Sequence, residues 1–128
     1  MNKLVKQINS DSIIVEFLQV MNGILKLSDR ELEVLSFLID FDMKFVPRPE
    51  VNKNVVNTEN RKIITEKLGI SKDNLSRYIK ALKEKGILKN GPAEDGVYVN
   101  KALIPEIIGD RLQLTIVLKV NKDDTKKD

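Results

Sequence analysis

Between Thr58 and Lys89 two short amphipathic runs are separated by only three residues, Gly69-Ile70-Ser71, and this spacing leaves the chain few ways to fold. The first run carries its apolar residues at Ile63, Ile64 and Leu68, and predicts a short helix capped by Thr58. Gly69 stands where a helix ends in a left-handed residue, and Ile70 pins the turn to a core. Ser71 is the expected cap of the second helix, in which Leu75, Tyr78, Ile79 and Leu82 follow i, i+3, i+4, i+7 spacing. Gly86 closes it. So tight a connection makes the second helix cross the first instead of running on from it.

The flanks extend this unit. Ile87-Leu88-Lys89 and Val97-Tyr98-Val99 are β-type runs, and the turn-rich Asn90 to Gly96 between them predicts a hairpin. Upstream, Ser28-Asp29-Arg30-Glu31 spells a capping box, followed by core candidates Leu32, Leu35, Phe37, Leu38 and Ile39. Asp40 to Asn57, rich in proline and asparagine, is expected to be a loop ending in a short strand at Val55-Val56. Earlier still, Ile13, Ile14, Phe17, Leu18, Met21 and Leu25 mark a helix that Asn22-Gly23 should end or bend near residue 22. The expected architecture is mainly α with a small β-hairpin wing, an α+β fold: a winged helix-turn-helix with an extra N-terminal helix and a C-terminal strand. Residues 1–27 form an N-terminal extension, 28–100 the winged-helix domain, 101–120 a turn and strand, and 121–128 a disordered tail.

The C-terminal strand follows from alternation. Leu112, Leu114, Ile116, Leu118 and Val120 alternate with Gln113, Thr115 and Lys119, after a helical turn interrupted by Pro105. A strand of this length needs a partner for its backbone groups. Pairing with Lys3 to Ile8 of the same chain would supply one. A homodimer through the N-terminal segment and this strand would supply another.

With 128 residues the chain has room for one core. It contains no cysteine and no histidine. Disulfides, thiolate metal sites, histidine general bases and catalytic triads are therefore excluded. No acidic cluster or glycine-rich phosphate loop replaces them, so no enzyme and no cofactor are expected. No apolar run reaches the roughly 20 residues of a membrane span, and the N-terminus has no signal-peptide core. A cytoplasmic location, with no membrane partner, is the expectation.

Charge is uneven. Residues 58–90 hold nine basic and four acidic side chains, a surplus of five, whereas the rest of the chain is negative by two. Concentrated positive charge is what a phosphate-facing surface requires. With Leu75, Ile79 and Leu82 turned inward, Lys72, Asp73, Ser76, Arg77, Lys80 and Lys83 fall outward, and Asn74 lies at the boundary. Arginine can read guanine, asparagine adenine and serine either, while lysines hold phosphates. Ser71 leaves the N-terminus of its helix open to a phosphate. Thr58, Asn60 and Arg61 at the start of the first helix, and Lys89 and Asn90 on the hairpin, complete the expected double-stranded DNA surface.

At these residues the sequence resembles known families. Residues 58–99, and above all the "LGIS…LSR.I..L.EKGIL" pattern, are similar to the winged-helix DNA-binding domain of bacterial and phage regulators. Leu27 to Leu35 also looks like the opening helix of LuxR-type domains, but the 40–57 insertion and the hairpin fit that family badly. Gly96-Val97-Tyr98-Val99-Asn100 followed by Ile107-Ile108-Gly109-Asp110-Arg111 is similar to the end of plasmid- and phage-type winged-helix replication initiators. Lys101 stands where that pattern has proline, and Ile108 where it has an aromatic residue. The resemblance implies sequence-selective DNA binding by a transcriptional regulator or a replication initiator. The competing reading is a winged helix used for protein contacts, as in a phage assembly module such as a terminase small subunit or structural adaptor, because a fold does not fix its use.

Overall fold

Ser28 begins the helix on which everything else rests. Its hydroxyl accepts from the Glu31 N–H at 3.2 Å, and Glu31 Oε1 accepts from the Ser28 N–H at 2.9 Å. The capping box is therefore complete in both directions. Burial alone pushes the Glu31 carboxyl up; the Ser28 bonds and the Lys85 ammonium outweigh it and hold the group below its ordinary value. The computed structural model describes residues 3–48, 52–91 and 96–121. In it this helix, α2, spans Asp29–Lys44.

Helix α1 (Ile13–Leu25) packs on α2 through Phe17 and Leu18. Asn22-Gly23 does not end it. The turn comes at Lys26, which adopts the left-handed conformation with φ 56°. Asn22 instead secures that end, its amide bonding both the N–H and the carbonyl of Leu27. Helix α2 likewise outruns the expected loop start at Asp40. Phe41 packs against the core, Asp40 pairs with Lys44 at 2.9 Å, and the carboxylate of buried Asp42 is satisfied.

Helices α3 (Thr58–Leu68) and α4 (Lys72–Glu84) follow, then the antiparallel strands β1 (Leu88–Asn90) and β2 (Val97–Val99). Leu88, Val97 and Val99 face the core while Lys89 and Asn90 are exposed. Residues 92–95 of the hairpin turn lie outside the described residues. Val55 and Val56 form a buried turn, not a strand. Pairing occurs one residue earlier, as a single parallel bridge from Asn54 to Val97, with the Val97 N–H donating to the Lys53 carbonyl and the Val55 N–H to the Val97 carbonyl, each at 3.0 Å. Asp42 locks this junction. Its Oδ1 accepts from Lys53 Nζ and its Oδ2 from the Val99 N–H, both at 2.8 Å.

One hydrophobic core holds these parts together, from Phe17 and Leu18 through Val34, Leu35, Leu38 and Ile39 to Ile64, Leu75, Ile79, Leu82 and Val99. The molecule is mainly helical with a small antiparallel hairpin, an α+β arrangement. No described helix is long and apolar enough to cross a membrane.

The C-terminal region departs most from expectation. Lys101–Leu103 form a 3-10 turn capped by Asn100. Buried Pro105 is followed by a two-residue hairpin, β3 (Ile107–Ile108) with β4 (Arg111–Leu112), turning at Gly109 with φ 63°. The strand predicted over Leu112–Val120 is thus reduced to its first residue. Residues 113–120 join no ladder among the described residues, and neither do Lys3–Asn9. Alternation sets which side chains share a face, but a strand exists only where another backbone takes its hydrogen bonds. Asn121 is described; residues 122–128 of the expected tail lie outside the described residues.

Candidate nucleic-acid interface

Local chemistry sets the two helices and their crossing. The cap of α3 is Asn57, not Thr58: its Oδ1 accepts from the Asn60 N–H at 2.8 Å from an extended backbone, and Thr58 is the first helical residue. Gly69 takes the left-handed turn at φ 65°, with its own N–H and that of Ile70 both donating to the Thr65 carbonyl. Ser71 caps α4, its Oγ accepting from the Asn74 N–H at 3.1 Å. Glycine, isoleucine and serine thus make the whole connection.

Helix α4 is sharply two-faced. Leu75, Ile79 and Leu82 are at most 3% exposed, with Tyr78 half-buried beside them. Ser71, Lys72, Asp73, Ser76, Arg77, Lys80 and Lys83 are exposed, and Asn74 is half-buried at the edge. The Arg77 guanidinium donates to Asn74 Oδ1, so two of the expected base readers hold one another. That bond fixes Arg77 along the outer face and leaves the Asn74 amide N–H groups as donors.

Arg61 joins the helices. Its Nε donates to the Val56 carbonyl at 2.7 Å and its Nη1 to Ser76 Oγ at 3.2 Å. Asn60 likewise donates through Nδ2 to the Val55 carbonyl at 3.1 Å. Both belong to the expected surface, yet both also fasten the 54–57 turn to α3. Thr58 stands exposed at the start of that helix.

The structure therefore brings Arg61, Ser71, Lys72, Asn74, Ser76 and Arg77 together around the crossing of α3 and α4. Lys80 and Lys83 extend the same helix. Lys89 and Asn90 lie on β1, which follows α4 after the Gly86 turn and packs against it. Lys89 Nζ folds back to 3.9 Å from where a Cβ on Gly86 would lie.

Salt bridges among the described residues leave this surface nearly alone. Of the six, only Lys85–Glu31 at 3.5 Å uses a basic residue from 58–90, and it ties the end of α4 to the cap of α2. Lys72, Lys80 and Lys83 form no ion pair with the described residues, although Asp73 and Glu84 lie on the same helix. Their charge is not cancelled by the described residues and is the kind an anionic partner would meet.

Three residues that matter here carry no obvious signal in the sequence. Asn57 adjoins Thr58, and both are good caps, so propensity alone cannot choose between them. Asp42 and Asn100 act over long range. Asn100 accepts from the Ala102 N–H, donates through Nδ2 to the Gly86 carbonyl at 3.1 Å, and donates its own N–H to the Ile87 carbonyl at 2.8 Å. It thereby binds the hairpin to the end of α4. No group of histidine, cysteine or acidic residues among those described could hold a metal ion. Comparison with protein-family models, curated proteins and solved structures finds no match to this chain.

Proposed function

We propose that this chain is a winged helix-turn-helix protein that binds double-stranded DNA sequence-selectively, with α4 as the recognition helix in the major groove. One observation carries the reading. An amphipathic helix, entered through a three-residue turn, buries Leu75, Ile79 and Leu82 and presents Lys72, Asn74, Ser76, Arg77, Lys80 and Lys83 outward, with no acidic partner for its lysines and arginine among the described residues. The N-terminal half of such a helix meets base edges while lysines along it meet phosphates. Arg77 is the reader of guanine and Asn74 of adenine. Ser71 and Thr58 offer backbone N–H groups of the two helix starts to phosphates. The β1–β2 hairpin is the wing, and Lys89 and Asn90 contact the flanking backbone.

Control of transcription or initiation of replication, in a bacterium or its phage, is the role proposed for this binding. A fluorescence-anisotropy titration with labelled random duplex at low salt tests it. Micromolar or tighter binding that weakens steeply as salt is added is expected. Absence of binding at low salt would overturn the reading in favour of a winged helix that contacts proteins.

A further inference from the structure

We infer that residues 112–120 are the dimerisation strand of this protein, pairing antiparallel with the same segment of a second copy about a two-fold axis through Ile116. Beyond Leu112, which closes the β3–β4 hairpin, the segment is exposed and joins no ladder: Ile116, Leu118 and Val120 are 46%, 83% and 79% exposed, and no backbone hydrogen bond reaches 113–120 within the described residues. The intramolecular partner that could have taken it, Lys3 to Ile8, forms no ladder. A long, apolar, unpaired strand is a template for another chain.

The segment is complementary to a second copy of itself in this register. Centred on Ile116, an antiparallel pair sets Leu112 against Val120, Leu114 against Leu118 and Ile116 against itself, so one face is apolar throughout. On the other face Gln113 meets Lys119 and Thr115 meets Val117. No cation opposes a cation. Sliding the pair by an odd step brings the apolar face of one strand onto the polar face of the other. A parallel, in-register pair would set Lys119 against Lys119 and Arg111 against Arg111, which costs stability. The Ile116-centred pairing is self-complementary, as a two-fold interface must be.

A two-stranded ribbon is marginal by itself and needs its apolar face covered. Leu4 and Val5, 102% and 80% exposed, and Val20 and Ile24 of α1 are further exposed apolar residues of the same chain. The inference stands apart from the DNA reading, and its test contains no DNA.

Light scattering on the full chain at tens of micromolar should give about twice the 14.6 kDa monomer mass. Ile116→Lys places two ammonium groups opposite each other and should return the monomer mass. Because the chain has no cysteine, single substitutions report the register directly. Ile116→Cys should cross-link readily on mild oxidation, since directly opposed residues lie within disulfide reach. Leu118→Cys should not, because its own copy is about 13 Å away along the strand. A monomeric wild type overturns the inference. So does a dimeric Ile116→Lys variant, or cross-linking of Leu118→Cys as fast as that of Ile116→Cys.

Discussion

Glu31 shows how one side chain can serve two elements. It closes the cap of α2 and receives Lys85 from the end of α4, and those contacts keep its carboxyl below the ordinary range despite burial. A carboxylate depressed in the folded state contributes stability in full above its unfolded value, about 4.3, and that contribution is lost as pH falls through the folded value. Thermal melts of the wild type should therefore decline as pH drops below about 4. Glu31→Gln should flatten the part of that decline due to this group; an identical profile in the variant would show that the cap does not titrate. Asp42 makes a separate prediction. Asp42→Ala leaves the buried Val99 N–H and Lys53 without their acceptor and should cost about 2 kcal/mol in urea unfolding. Neither role was legible in the sequence beyond the Ser28–Glu31 spacing, because Lys85, Lys53 and Val99 are distant along the chain and adjacent only after folding.

At the scale of elements, what the sequence reveals is what local chemistry decides. The capping box, the Gly69 turn, the Ser71 cap and the inward row of Leu75, Ile79 and Leu82 all sit where spacing predicts. Gly69 has open space around its missing Cβ, so the cost of Gly69→Ala is purely that of a left-handed alanine, about 1 kcal/mol by denaturant melt. Leu82→Ala, within the core, should cost about 2–5 kcal/mol. A smaller loss at Leu82 than at Gly69 would contradict the packing described. Elements that depend on partners were read less well. Asn22-Gly23 sits inside α1 because the contacts of Phe17, Leu18 and Leu25 carry the helix past it, and Val55-Val56 bends because the pairing with Val97 is a single bridge centred on Asn54 that ends at the Val55 N–H. Residues 113–120 continue a strand's pattern past β4 but join no ladder among the described residues, and that mismatch is the basis for a second copy.

The whole molecule separates support from display. Helices α1 and α2 and the Asp42 junction form a base, on which α3 and α4 are held at a fixed crossing by Arg61, Asn60 and a common core. Lys72, Arg77, Lys80 and Lys83 are exposed on α4, whose Leu75, Ile79 and Leu82 are buried in that core. If Lys72, Lys80 and Lys83 each meet a phosphate, the plot of log affinity against log salt should have a slope of about −3 from α4, and Lys83→Ala should reduce its magnitude by about 1. An unchanged slope would move Lys83 off the interface. Reversing the charge of α4 without touching its buried face tests the proposed DNA contact most directly. Arg77→Glu with Lys80→Glu, checked for an unaltered melting temperature, should abolish anisotropy-detected binding to duplex DNA at moderate salt, where the wild type still binds. Equal binding by this folded double variant would contradict the assignment of α4 as the DNA-reading helix.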